Sequence, residues 1–385
     1  MLDRRSFFQR AGAAALLASV PYNSIHAKKD KTVKGTPKKE LIKNLKAVGK
    51  EPVELTNPDA STVLVLPYGG RILGLFAPNS DNNVLWTDTR LGSKEKLYEW
   101  YSKDVWHNSG GDRTWLAPEV DFFFPNFPDT GKYFQQRPLD VGPYRVTNRD
   151  GGSVTMENEF TMQNYRGKKQ YQLRITKTVG PAANPLRQGA VSMPDGVQYA
   201  GYTLTCTLDI LRSSGDPGYV GLWNLLQMPN GGEMLVPTYT RTDPTVFFGE
   251  IPKADLKVED RMVRYRMRAD GAQKICVRAL HCTGRAGYTY DTDGDSVLVV
   301  RTFDVNPSGD YVDVWSTNMK DDGYAFQACN INLEELGSFS ELEYHAPAIG
   351  AKTGLKHSRD TSSVWAFRGP RAKVEGLAGT LLALS

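Results

Sequence analysis

From about residue 50 onward the chain consists of short runs of β-branched, aromatic and aliphatic residues, each closed by Gly, Asn, Asp or Pro. That rhythm leaves little room for helices and commits the body to strands joined by tight turns. The runs include STVLVLPYGGRILGLFAP (61–78), SVTMENEF (153–160), QYQLRITKTV (170–179), YTLTCTLDIL (202–211), KICVRALHC (274–282), SVLVVRTFDV (296–305) and YVDVWSTN (311–318). In the fourth, Leu204, Cys206, Leu208 and Ile210 alternate and so share one face. Turn chemistry at 148–152, 166–167 and 291–295 separates the runs. Helical patterning is predicted only at 39–48 and 333–336. No fixed-period repeat is present, which excludes a propeller or solenoid. Many strands at short spacing, with no linker between them, predict one large antiparallel β-sandwich over residues 41–385, with two β domains as the second arrangement.

The charge is unevenly placed. Of the net +4, residues 1–27 carry +2 and residues 28–40 carry +4, which leaves the body at −2. A body near neutrality gives no electrostatic case for nucleic-acid binding. The start, MLDRRSFFQRAGAAALLASVPYNSIHA, has the parts of an export signal: charges, a short apolar run and small residues near Ala27. Adjacent Arg4 and Arg5 followed by Phe7 and Phe8 resemble a twin-arginine signal, which implies the Tat export machinery as a partner and a periplasmic or secreted destination. The apolar run is too short to span a bilayer. Residues 28–40 are expected to form a charged, solvated linker. Cys206, Cys276, Cys282 and Cys329 read as buried free thiols or as one bridge plus two thiols, and no pair has metal-ligand spacing, so neither a metal nor another cofactor is expected.

Chemistry concentrates in two segments. VWHNSGGDRTWLAPEVDFFFP (105–125) brings Trp106, His107, Asp112, Arg113, Trp115 and Glu119 together around Gly110 and Gly111. Charged side chains beside aromatic rings suit a sugar, whose hydroxyls take hydrogen bonds while its apolar side stacks on rings. SELEYHAPAIG (340–350) places Glu341, Glu343 and His345 on one face of a strand. A third segment, YVGLWNLLQMP (219–229), aligns Trp223, Leu225 and Gln227. DTDGD (291–295) reads as a hairpin turn rather than a calcium loop, and His281 and His357 have no identifiable partners.

Taken in order, YGGRILGLF, NSGGDRTWLAPE, QLRITKTV, YTLTCTLDIL, LWNLLQMP, ELEYHAP and VWAFRGP resemble the galactose-mutarotase-like (aldose 1-epimerase-like) superfamily along most of the body. The resemblance implies a large antiparallel supersandwich whose concave face holds a mono- or oligosaccharide. It also implies a Glu base, Glu343 with Glu341 as its rival, and a His acid, His107 or His345. Arg113, Asp112, Trp106, Trp115, Glu119, Trp223 and Gln227 would bind the sugar. Two departures stand out: the Asn-Arg pair of aldose epimerases is met only by Asn148 and Arg149, which read as a turn, and the position of a mid-chain His is held by Trp223 and Asn224. The expected function is an exported carbohydrate-active protein with epimerase-like acid–base chemistry. Its rivals are a non-catalytic carbohydrate binder and a glycosidase or lyase with two facing carboxylates.

Overall fold

The computed structural model describes residues 35–188, 192–292, 294–315, 318–334 and 336–382. The expected export signal and most of the charged linker lie outside them. The strands assemble into two ten-stranded sheets in which neighbouring strands are antiparallel. The first runs, in spatial order, β1 (Val53–Thr56), β2 (Thr62–Leu66), β3 (Arg71–Phe76), β4 (Asp112–Ala117), β9 (Tyr219–Pro229), β18 (Gly337–His345), β17 (Phe326–Leu333), β14 (Gly271–Val277) and β11 (Thr245–Phe248), with β19 (Ile349–Gly350) attached to β9. The second runs β12 (Leu256–Val258), β13 (Met262–Arg266), β10 (Glu233–Pro237), β15 (Arg285–Thr292), β16 (Asp295–Phe303), β20 (His357–Gly369), β8 (Gln198–Ser213), β7 (Lys169–Pro181), β6 (Ser153–Asn164) and β5 (Arg145–Asp150). The fold is thus a large, all-β antiparallel sandwich, as the run-and-turn rhythm predicts.

Alternation accounts for the core. On β8 the side chains of Leu204, Cys206 and Leu208 are fully buried, and they pack with Val63, Val65, Ile72, Leu342 and Tyr344 of the first sheet. The outer side of the second sheet is covered by α4 (Arg371–Leu382), whose Val374, Leu377 and Leu381 lie on Leu298, Val300 and Phe367. The outer side of β2 and β3 is covered by α1 (Lys38–Ala47) and α2 (Lys94–Tyr101), through Leu41, Leu45, Leu97 and Trp100. A short α3 (Glu119–Phe122) follows β4 directly. On the outer side of the central strands lies the short α3, whose Glu119 N–H donates to Asp313.

Several local expectations need correction. The first helix, expected over 39–48, runs Lys38–Ala47 and so overlaps the end of the expected linker, where Lys38 pairs with Glu54 and donates to Thr62. The other expected helix is the tight connection between β17 and β18, which pair in register down to Leu333 and Gly337. Residues 311–315, the described start of YVDVWSTN, form no strand: the backbone of Tyr311 packs against Gly323, where a Cβ would lie 2.2 Å from the Tyr311 carbonyl oxygen. Asn148 and Arg149 lie on β5 rather than in a turn, the β14 run stops at Val277, and His357 pairs with Asp209 at 2.7 Å. All four cysteines are free and buried. DTDGD is the β15–β16 hairpin. Among the described residues no helix is long and apolar enough to cross a membrane.

Candidate functional site

β9 is flanked by β4 on one side and β18 on the other, which brings the early and late segments together. Leu225 stands between Arg113 and Glu343, Trp223 between Trp115 and His345, and Gln227 beside Glu341. β17 continues the face, with Gln327 opposite Glu343 and Cys329 opposite Glu341, and β14 sets Lys274 opposite Cys329. The intervening residues point the other way: Asp112, Asn224 and Tyr344 contact Tyr202, Arg301 and Asp360 of the second sheet, and Thr114 meets Cys206 of that sheet. The Arg113–Glu343 face is therefore the outer one.

Its charges are arranged in pairs. Arg113 Nη2 lies 2.8 Å from Glu341 Oε1, and its guanidinium sits 4.4 Å from the Trp115 ring and 5.6 Å from Trp106. Lys274 Nζ donates to Glu343 Oε2 at 2.9 Å and to Gln327 Oε1 at 3.0 Å, and Trp223 Nε1 donates to the same Glu343 oxygen at 2.8 Å. Asp313 accepts from Gln327 Nε2 and from the Glu119 backbone N–H, both at 2.8 Å, while Tyr133 donates its hydroxyl to Glu119. Both tryptophan N–H groups of the early segment converge on one carboxylate: Trp106 and Trp115 donate to Asp140 Oδ2, and Arg71 Nη2 donates to both Asp140 oxygens. His345 lies flat on Trp223, the ring centroids 5.4 Å apart.

Residues 39–385 match a family of unknown function, DUF6786. The chain belongs to that family. No curated protein matches it in sequence. Among solved structures it is similar to an Escherichia coli K12 protein provisionally assigned as an aldose 1-epimerase (13% identity, 83% of this chain and 99% of that one, TM-score 0.47). It is also similar to the galactose 1-epimerase of Lactobacillus acidophilus NCFM (9% identity, 83% and 95%, TM-score 0.43) and to an aldose epimerase homologue from C. elegans (12% identity, 84% and 100%, TM-score 0.41).

In this DUF6786 chain the face is covered rather than open. Trp115, Trp223, Glu343 and His345 are at most 4% exposed. The segment after α3 crosses over them, with Phe123 4.8 Å from Trp115 and stacked on Tyr133. Yet many buried polar atoms have no hydrogen-bond partner among the described residues: Arg113 Nε and Nη1, both amide atoms of Gln227, Glu343 Oε1 and both ring nitrogens of His345. Folded proteins seldom leave so many unpaired in one place, because each costs about 1–3 kcal/mol. Here they converge around two indole rings.

Burial governs the protonation states. It raises Glu119 and Glu343 above the usual carboxylate range, with Lys274 pulling both back. For Lys274 burial works downward, but Glu343 and the neighbouring acids outweigh it, so its ammonium is retained. Burial pushes His345 down to about 4, so it is neutral at pH 7. The ligand atoms of Cys329, Glu341 and Glu343 lie within 4.8 Å of one another, but Arg113 and Lys274 already neutralise the two carboxylates. A divalent ion there would face two fixed cations, so these residues do not fit a metal.

Of the predicted site residues, Trp106, Arg113, Trp115, Glu119, Trp223, Gln227, Glu341, Glu343 and His345 belong to this one cluster. His107 and Asp112 do not. His107 sits under α2 with its Nδ1 2.7 Å from the Tyr68 hydroxyl and its ring against Trp100 and Tyr101. Gly110 and Gly111 separate it from β4, both at positive φ, and a Cβ on either would fall 2.2–2.3 Å from the backbone oxygens of Ile72 and Trp86. Asp112 precedes Arg113 on a strand and so must face the opposite side. Lys274, Gln327, Asp313, Asp140, Arg71 and Tyr133 were not singled out from the sequence.

Proposed function

We propose that this DUF6786 protein is exported by the twin-arginine route and binds a carbohydrate on the β4–β9–β18 face, where Glu343 acts as a base in epimerase-like chemistry. The observation that carries the reading is the Glu343 carboxylate itself. Trp223 and Lys274 hold Oε2, while Oε1 is buried, unpartnered and set among unpaired donors. A carboxylate fixed at one oxygen and free at the other is oriented to take a proton from an anomeric hydroxyl, and its raised pKa brings it toward working pH. Arg113 offers Nε and Nη1 to sugar hydroxyls, and Trp115 and Trp223 offer ring surface. His345 is neutral, so it serves as a hydrogen-bonding group and not as a cationic acid. Glu119, the other carboxyl on this face that burial raises, is the better donor of a proton to the ring oxygen. Phe123 and Tyr133 must shift to admit a sugar, which would close the face against water again on binding.

The test is magnetisation-exchange NMR on a panel of aldoses with wild type and Glu343→Gln. Exchange at least about a hundredfold slower in the variant is expected. Equal rates remove Glu343 as the base. The second reading, a binder without turnover, draws support from the Lys274–Glu343 pair, which neutralises the carboxylate without any ligand. Saturable binding with no exchange by wild type would favour it.

A further inference from the structure

Trp106 belongs to two places at once. One side of its ring faces Trp115 and the Arg113 guanidinium, and it also lines a cavity of about 410 Å³ beside the face. The other polar groups around that cavity are Arg90, Lys96, Glu99, Lys103 and Asn108. Three are cations and one is an acid. Arg90 is held by Asp88 and stacks on Trp100 at 3.7 Å, and Lys103 is paired with Glu99, but Lys96 has no ion-pair partner among the described residues. Asn108 is the second observation. It is 5% exposed, its Oδ1 faces Arg71 at 3.4 Å, and its Nδ2 has no partner among the described residues. A buried donor without an acceptor, an aromatic ring and a surplus of positive charge are complementary to a sugar unit that carries an anionic group.

We propose that this cavity is a second subsite, contiguous with the Glu343 face across Trp106, that takes the adjoining residue of an acidic oligosaccharide. The inference rests on the carbohydrate reading of the Glu343 face and extends it from a single sugar to a chain of at least two units. The unit in the cavity bears a carboxylate, with Lys96 as its counter-charge. Asn108 Nδ2 donates to the carboxylate or to a neighbouring hydroxyl, and Trp106 stacks between the two units.

Isothermal titration with the full-length mature protein tests this. The probes are tetrasaccharides of galacturonate, of mannuronate and of chondroitin, each beside its carboxyl-reduced neutral counterpart. For at least one pair the acidic member should bind about tenfold tighter, and raising the salt should erode that margin. Lys96→Glu should abolish the margin, and Asn108→Ala should weaken the acidic tetrasaccharide, with thermal melting confirming that both variants fold. Equal affinity for acid and neutral forms in every pair overturns the subsite. So does a margin that survives Lys96→Glu. The two readings fail separately: if Glu343→Gln and Arg113→Met weaken binding while acid and neutral forms bind alike, the face stands and the subsite falls. If no tetrasaccharide binds wild type, both fall.

Discussion

One strand, β4, separates two polar networks that obey different rules. On its inner side Asp112 accepts from Tyr202 at 2.7 Å and pairs with Arg301 at 3.1 Å, and Arg301 continues to Ser362. Thr114 donates to Asn224, which reaches Asp360 together with Tyr344. In that network a single N–H, Arg301 Nε, lacks a partner among the described residues. On the outer side, Arg113, Gln227, Glu343 and His345 leave seven buried atoms unpaired. Both networks are equally buried, so exposure does not distinguish them. Satisfaction does. The inner one ties the two sheets together, whereas the outer one is left incomplete.

The contrast can be broken most forcefully from the inside. Asp112→Ala strands the Arg301 guanidinium and should cost about 3–5 kcal/mol in urea unfolding. Asp112→Leu combined with Arg301→Met should recover most of that. A loss below about 1 kcal/mol for the single variant would mean the inner network ties nothing together.

His345 sets the next effect. Its folded pKa of about 4 lies below its ordinary value of 6.5, so its contribution is complete above pH 6.5 and is lost as pH falls toward 4. The loss amounts to as much as about 3 kcal/mol. Glu119, Glu343 and Asp360 are raised, so their contributions run oppositely: full at acid pH and lost as pH rises. Unfolding of His345→Phe beside wild type isolates the histidine, since the difference should shrink steadily between pH 6.5 and 4. A difference that stays constant would place His345 in contact with a proton acceptor.

The smallest effect sharpens the comparison most. Gln227→Leu removes two unpaired buried atoms and should stabilise by roughly 1 kcal/mol while weakening sugar binding. Asn224→Leu, three positions earlier and facing inward, should destabilise instead. Thermal melts reading the same sign for both would erase the distinction between the two sides.

Much of this was legible in the chain. Alternation in YTLTCTLDIL and ELEYH gave the strands and the side of the sheet on which Glu341, Glu343 and His345 stand together. The same rule applied to Asp112 and Arg113 parts them, since neighbours on a strand cannot share a face. Lys274 was hidden inside an apolar run, and its partner Glu343 lies 69 residues further along the chain. Long-range register decides such a pairing, and no local pattern carries it. Asp313 was hidden for a different reason: residues 311–315 have strand composition but form no strand, their start packed on Gly323. The placement of His107 turned on a pair of glycines whose backbone angles redirect the chain.

The order of the strands also sets a schedule. β9 waits between an early neighbour and a late one, and β18 is not translated until residues 337–345 leave the ribosome. A nascent polypeptide therefore carries Arg113 for more than two hundred codons before its carboxylate partner exists. No product terminated before residue 345 can assemble the β4–β9–β18 face, and the pairing of Arg113 with Glu341 belongs only to chains that have been translated past β18.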